Sequence, residues 1–336
     1  MEDWNRKLAA YRQSDLGRSL FELVLTAGAL AMCWGLGWLT WNFGHPALAL
    51  IFSLPAGVFL VRLFMIQHDC GHGAFFEAKA ANDWVGRTIG VLTLTPYSYW
   101  RQTHAIHHAT SGNLDRRGLG IIEMLTVQEY EALSPLRKLG YRLYRNPLVM
   151  FGLGPIFVFF LQQRLPIGLM TQGWRPWRST LGNAAGVAGG LALLIWWVGM
   201  APVLVINFLT MVVAATIGVW LFYVQHQFEG VTWTRNDDWN REDAALRGSS
   251  YYDLPPILRW LTANIGIHHV HHLSSRIPFY RLSEILKDHP ELRSVSRIGL
   301  RESFRTVRLA LWDEAAQRLV SFREADLTAR SRRGKV

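Results

Sequence analysis

The chain has 336 residues, half of them hydrophobic, with only 18% charged residues but a net charge of +10, and its mean hydropathy is +0.10. That composition excludes an ordinary soluble enzyme and points to a membrane protein whose polar parts are basic, as loops facing anionic lipid are. The basic residues are scattered around apolar runs and accompany no nucleic-acid motif, so no nucleic-acid partner is expected; two cysteines without C-x-x-C exclude a disulfide framework and a four-cysteine cluster.

Residues 1–19 mix charges of both signs and lack a signal-peptide pattern, so they are expected on the cytoplasmic side. Residues 20–66 read as a first transmembrane hairpin, with spans at 20–41 and 46–66. The loop between them carries no Lys or Arg, while Arg6, Lys7, Arg12 and Arg18 sit at the other end and mark it as the inside. Arg62, near the inner end of the second span, is expected to snorkel toward water.

Residues 67–181 form a cytoplasmic or interfacial section. Its apolar interlude at 85–94 is too short to span and is read as a helix in the interface or against the core. Tyr97, Tyr99 and Trp100 are read as interfacial anchors, with a substrate-channel wall as the sharper alternative. A charged, helix-like stretch covers 127–145. Residues 147–166 are apolar enough to cross but carry Gly152, Gly154, Pro155, Gln162 and Gln163.

Residues 182–224 read as a second hairpin, with spans at 182–200 and 202–224. If 147–166 also crossed, the histidines on either side of it would emerge on opposite faces. It is therefore read as in-plane or re-entrant, which leaves four spans. Residues 225–336 form a cytoplasmic cap, with a short apolar helix at 258–267 and an amphipathic helix at 303–322.

The histidines are the most informative feature. His104, His107 and His108 stand at i, i+3 and i+4, the spacing that puts three imidazoles on one helix face; His268, His271 and His272 repeat it, and His68 and His72 form a pair. With 12 histidines in the chain, roughly 0.015 such triples arise by chance from composition. Two triples and a pair therefore need a common explanation, and convergent neutral imidazoles suit iron, copper or zinc.

His226, at the inner end of the last span, has the depth of a ligand, although a lone histidine there also suits a structural hydrogen bond. The nine are too many for one ion and suitable for two. His269, about 100° around the helix from His268, is read as a supporting donor or surface residue. Asp69, Asp115, Glu229 and Asp238 are candidate partners for the second imidazole nitrogens, each also readable as an ordinary surface acid. Asn264, one helical turn before His268, is a candidate to hold a metal-bound water. His45 and His289 are read as bystanders.

The pattern His68-Asp69-Cys70-Gly71-His72, His104-Ala105-Ile106-His107-His108 and His268-His269-Val270-His271-His272 resembles the histidine boxes of the membrane fatty acid desaturases. So do the stretches GNLDRRG at 112–118, YRLYRNPLVMFGL at 141–153, FYVQHQFE at 222–229 and LSSRIPFYRL at 273–282, and the likeness is greatest to the omega-6, or Δ12, acyl desaturases of bacteria and plastids.

The resemblance implies an all-α membrane protein with four transmembrane helices and a cytoplasmic helical cap, in the bacterial inner membrane. It implies a diiron site that includes His226, O2 as co-substrate, and a cis double bond placed in an acyl chain carried as lipid or thioester. Electrons come from a separate ferredoxin-like or cytochrome b5-like donor. The doubled His268-His269 leaves the third box's register open by one residue.

A histidine-box hydroxylase or ketolase is the nearest alternative. An intramembrane zinc protease is disfavoured because 68–72 lacks the Glu of H-E-x-x-H. A non-catalytic metal transporter would place its ligands at the bilayer midplane, whereas these clusters lie beyond span ends.

Overall fold

Among the described residues, four single helices are long and apolar enough to cross a bilayer: Leu16–Asn42, Pro46–His72, Trp174–Val198 and Met200–His226. They come from a computed structural model that describes residues 4–333; residues 1–3 and 334–336, the extreme ends of the expected N-terminal segment and cap, lie outside the described residues. A 27-residue helix is about 40 Å long, against about 30 Å of hydrocarbon, so roughly 10 Å of each such helix must project beyond the bilayer core. The second and fourth helices use that excess at their C-terminal ends. His68, His72 and His226 thus ride on the last turns of the second and fourth helices, which continue past the expected span ends at 66 and 224.

The second and fourth spans pack closely. A Cβ on Gly57 would come within 2.5 Å of Val213, so only glycine allows that approach. Pro46 opens the second span at a position where no helical N–H is needed, and Gly73, at φ 66°, closes it just after His72. Arg62 does not snorkel: it is 1% exposed, paired with Glu22 of the first span, and lies over the Trp260 ring at 4.4 Å and the Phe279 ring at 5.4 Å. A carboxylate facing it from another helix makes burial tolerable.

His72 and His226 end in adjoining clusters, described below, so the second and fourth spans point the same way and the chain between them crosses an even number of times. The third and fourth spans supply both crossings. The segment at 149–164 bends 60° from the preceding helix and alternates between α and π geometry. It runs down the fourth span: Thr216 donates to the Phe151 carbonyl, and Phe160 meets Phe208, eight residues or about 12 Å deeper. The chain then returns, where Tyr99 donates to the Ile167 carbonyl and Gln102 to the Gln172 side chain. That packing along the fourth span is the arrangement the re-entrant reading expects.

Helix Lys79–Leu92 lies against the second span, and helix Tyr97–Thr110 carries the second histidine cluster back toward it. The Tyr97 ring fills the space left by Gly86, and its hydroxyl donates to the Cys70 carbonyl. The 127–145 stretch is two helices, Val127–Ala132 and Pro135–Tyr144, because Pro135 interrupts the backbone ladder.

The cap departs most from expectation. Instead of an amphipathic helix at 303–322, strands β4 (Leu311–Asp313) and β5 (Arg318–Val320) form a hairpin, and β1 (Leu125–Thr126) pairs with β4 in parallel. The Asp313 carboxylate accepts from the Ala315 and Ala316 N–H groups and fixes the turn. Strands β2 (Tyr251–Asp253) and β3 (Arg297–Gly299) form a second parallel pair. The helix expected at 258–267 ends at Leu261; the chain turns at Ala263 and Asn264, both at positive φ, before helix His268–Leu273 begins.

Candidate metal centre

Nine imidazoles gather where the second and fourth spans, helix Tyr97–Thr110 and helix His268–Leu273 converge, and they sort into two groups. His68, His72, His104, His108 and His271 form one; His107, His226, His268 and His272 form the other; within each, one ligand-competent nitrogen per residue lies within 4.8 Å of all the rest. The division cuts across the sequence clusters. His104 and His108 go to the first group and His107 to the second, whereas His268 and His272 go to the second and His271 to the first. Adjacent histidines on a helix diverge by about 100°, so each H-x-x-H-H triple serves both groups. The groups touch where the His108 and His272 rings stack at 4.1 Å.

The nitrogen spacing fits shared cations. Nε2 atoms approach at 3.1 Å between His107 and His226, His226 and His268, His268 and His272, His104 and His108, and His108 and His271. The Nδ1 of His226 faces the Gly248 carbonyl at 3.1 Å and must carry the proton there, which leaves a lone pair on Nε2. That lone pair cannot donate to either neighbour. Two donors at right angles, each about 2.1 Å from one ion, stand about 3.0 Å apart, which matches the observed edges. His72 Nε2 is buried without a hydrogen-bond partner among the described residues. The residues present therefore fit a pair of metal ions.

Electrostatics agree. His104, His107, His108, His268, His271 and His272 are held well below the usual imidazole range, by burial first and by repulsion between neighbouring rings second. They stay neutral at physiological pH, the form that ligates metal.

The supporting residues depart from the sequence reading in several places. Asp69 lies against a member of the first group: its carboxylate is 3.2 Å from His68 Nδ1 and also accepts the Phe279 N–H at 2.6 Å. His269 belongs to neither group; it is fully buried, and its Nε2 donates to the Leu292 carbonyl at 2.9 Å. Asn264 sits in the turn, where its amide donates to the Phe279 carbonyl and accepts from Ser283, so it shares no helical face with His268.

Asp115 is an exposed clasp that binds Arg235 and the Asn236 N–H, and Glu229 and Asp238 are exposed surface acids. Trp100 is no interfacial anchor: its ring stacks on His104 at 4.6 Å and meets Phe64 at 5.4 Å, while Tyr97 and Tyr99 are buried. Phe222, missed in the sequence, lies 5.2 Å from His107 and 5.3 Å from His226. Its position one turn before His226 was the available signal. His45 and His289 stand in neither group.

The second group is fully buried, whereas the first is partly open. A cleft of about 880 Å³ reaches His72, with Lys79, Arg101, Arg175 and Arg276 against Glu77 and Asp83 in its walls.

The fatty acid desaturase family model matches residues 44–301. The chain is 43% identical to a protein named fatty acid desaturase from Bacillus subtilis (strain 168), over 95% of this chain and 90% of that one. It is 31% identical to an sn-1 acyl-lipid omega-3 desaturase (ferredoxin) of Synechocystis, over 80% and 72% of the two chains, and 27% identical to an sn-1 oleoyl-lipid 12-desaturase of Anabaena variabilis, over 74% and 70%. With two histidine groups where the second and fourth of its four candidate spans end and a family match across most of its length, the chain belongs to the fatty acid desaturases, a family of membrane oxidoreductases.

Proposed function

We propose that the protein places a cis double bond in an acyl chain of a membrane lipid, with O2 and two electrons from a separate ferredoxin-like or cytochrome b5-like donor. The observation that carries this reading is the division of nine neutral imidazoles into adjoining groups of five and four. A methylene pair offers no acidic proton, so an acid–base site has nothing to act on. Iron bound in both groups supplies the oxidising power to remove two hydrogens; with two electrons and two protons, O2 leaves as two waters.

The chain's own residues do the rest. The nine histidines hold the ions, and Asp69 and the Gly248 carbonyl fix the orientation of His68 and His226. Trp100 and Phe222 wall the imidazoles with apolar surface that keeps water away. The cationic cleft beside His72 suits the phosphate-bearing end of the substrate.

Segments 1–19 and 225–336 are assigned to the cytoplasmic side of a bacterial inner membrane, 67–181 to its cytoplasmic side and interface with 149–164 dipping in along the fourth span, and the hairpins 20–66 and 182–224 to the bilayer. The cations Arg12, Arg18, Arg164, Arg175 and Arg178 support that orientation. The omega-6, or Δ12, position is the first to test; relatives named for omega-3 and for position 12 make the location of the new bond the discriminating measurement.

Expression in a host with simple fatty acids, followed by acyl-chain analysis of its lipids with and without His107→Ala, tests the proposal. A new double bond that disappears in the variant supports it. Added oxygen on the chain would establish a hydroxylase or ketolase instead, and unchanged lipids with the active form expressed would reject the activity.

A further inference from the structure

Helix Pro135–Tyr144 is pinned to the cap by one face only. Tyr141, on that face, is buried, donates to the Ala310 carbonyl at 2.9 Å and accepts the Leu125 N–H; Arg145, just beyond the helix, donates to the Leu309 carbonyl at 2.7 Å. These bonds fix the helix's rotation. They turn Leu136, Leu139 and Leu143 outward, 78%, 53% and 52% exposed, at spacings that keep all three on one face.

The apolar surface continues past the helix. Leu148 is 82% exposed, and Leu153, Phe157 and Leu161 follow along the outside of the re-entrant segment. That segment enters the bilayer along the fourth span after a 60° bend, so the helix before the bend stands at the level where the bilayer begins.

We infer that helix Pro135–Tyr144 is an in-plane membrane anchor whose Leu136, Leu139 and Leu143 face inserts among the acyl chains of a phospholipid surface. The occupant follows from continuity: across the bend the exposed apolar residues resume at Leu148 and run along a segment packed on a membrane span. Because the opposite face carries Tyr141 and Arg145, the anchor also ties the β1–β4–β5 sheet to the bilayer at a point separate from the four spans.

Site-directed fluorescence on the intact protein in phospholipid nanodiscs tests this. A bimane label is placed by Leu139→Cys, by Leu143→Cys, or by Gln128→Cys on the exposed side of the neighbouring cap helix, with unlabelled parent protein, whose Cys33 and Cys70 are buried, as control. Labels at 139 and 143 lose emission with phospholipids brominated near the head of the acyl chain and resist aqueous iodide; the label at 128 does the reverse. Iodide quenching at 139 equal to that at 128 would overturn the inference, and so would shielding of 139 from both quenchers, which would mean that a protein surface covers this face.

Discussion

His107 and His226, 119 positions apart in the chain, bring their Nε2 atoms to 3.1 Å inside a group that is buried throughout. The lone histidine at the end of the fourth span is thus as central to the second group as any member of the two triples. His226→Ala removes one of four nitrogens there and none from the first group. Bound iron should fall by about half and desaturation should be lost, since both ions are needed; iron content per purified protein, with lipid chain analysis, checks both. Full iron loading in the variant would remove His226 from the ligand set.

His269 separates the two possible registers of the third box. Its ring points away from both groups and donates to the Leu292 carbonyl, so His269→Ala should keep its iron. The cost appears in stability instead: a buried imidazole is lost and a carbonyl is left unpaired, worth about 2 kcal/mol. Iron content near that of the parent together with a lowered Tm is the expected pair of results, and loss of iron at unchanged Tm would reverse the register.

Asp69 bridges His68 and the loop after the third box, since one carboxylate faces both His68 Nδ1 and the Phe279 N–H. Removing such a partner weakens metal binding by roughly 10–100-fold. Asp69→Ala should lose iron to a chelator that the parent resists, and Asp69→Asn, which keeps an acceptor oxygen, should fall between the two. Titration with a chromophoric chelator measures the difference.

The Glu22–Arg62 pair couples the first two spans beneath the site, with Arg62 also donating to the Trp260 carbonyl. Glu22→Leu leaves a buried guanidinium uncompensated and should cost about 3–5 kcal/mol, whereas Glu22→Leu with Arg62→Met removes both charges and should recover most of that loss. Thermal unfolding in detergent compares the two. Equal destabilisation would show that the charges do not act as a pair.

Much of the site was legible because helices convert spacing into direction. The i, i+3, i+4 pattern marks the residues that converge, and the need for one site on one side of the bilayer limits the number of crossings without any coordinates. What spacing could not show is which cluster member goes to which group, since that depends on how two helices from different parts of the chain are rotated against each other. Nor could it show partners supplied from far away: Glu22 for Arg62, Leu292 for His269, Ser283 for Asn264. The 303–322 stretch misled for a related reason. Its apolar residues fit a helical period, but Asp313 caps a tight turn and β1 offers a strand edge, so tertiary pairing overrides the local pattern.

The neutrality of the site histidines has a consequence for the metal-free protein. The six outside the spans have folded-state values well below the ordinary 6.5, so at pH below about 6.5 the unfolded chain takes up protons that the folded chain refuses. Stability then rises with pH through that range and is lost as pH falls, by up to about 1.4 kcal/mol per pH unit for each group that behaves this way. Above about pH 7 both states are neutral and the dependence vanishes. Bound metal should steepen the loss, because protons also compete for the ligands as the chain opens. Chelator-treated protein should therefore show a Tm that is flat between pH 7 and 8 and falls sharply toward pH 5.5, with the fall reduced in His107→Ala. A Tm independent of pH over that interval would mean that these imidazoles are not held neutral by burial.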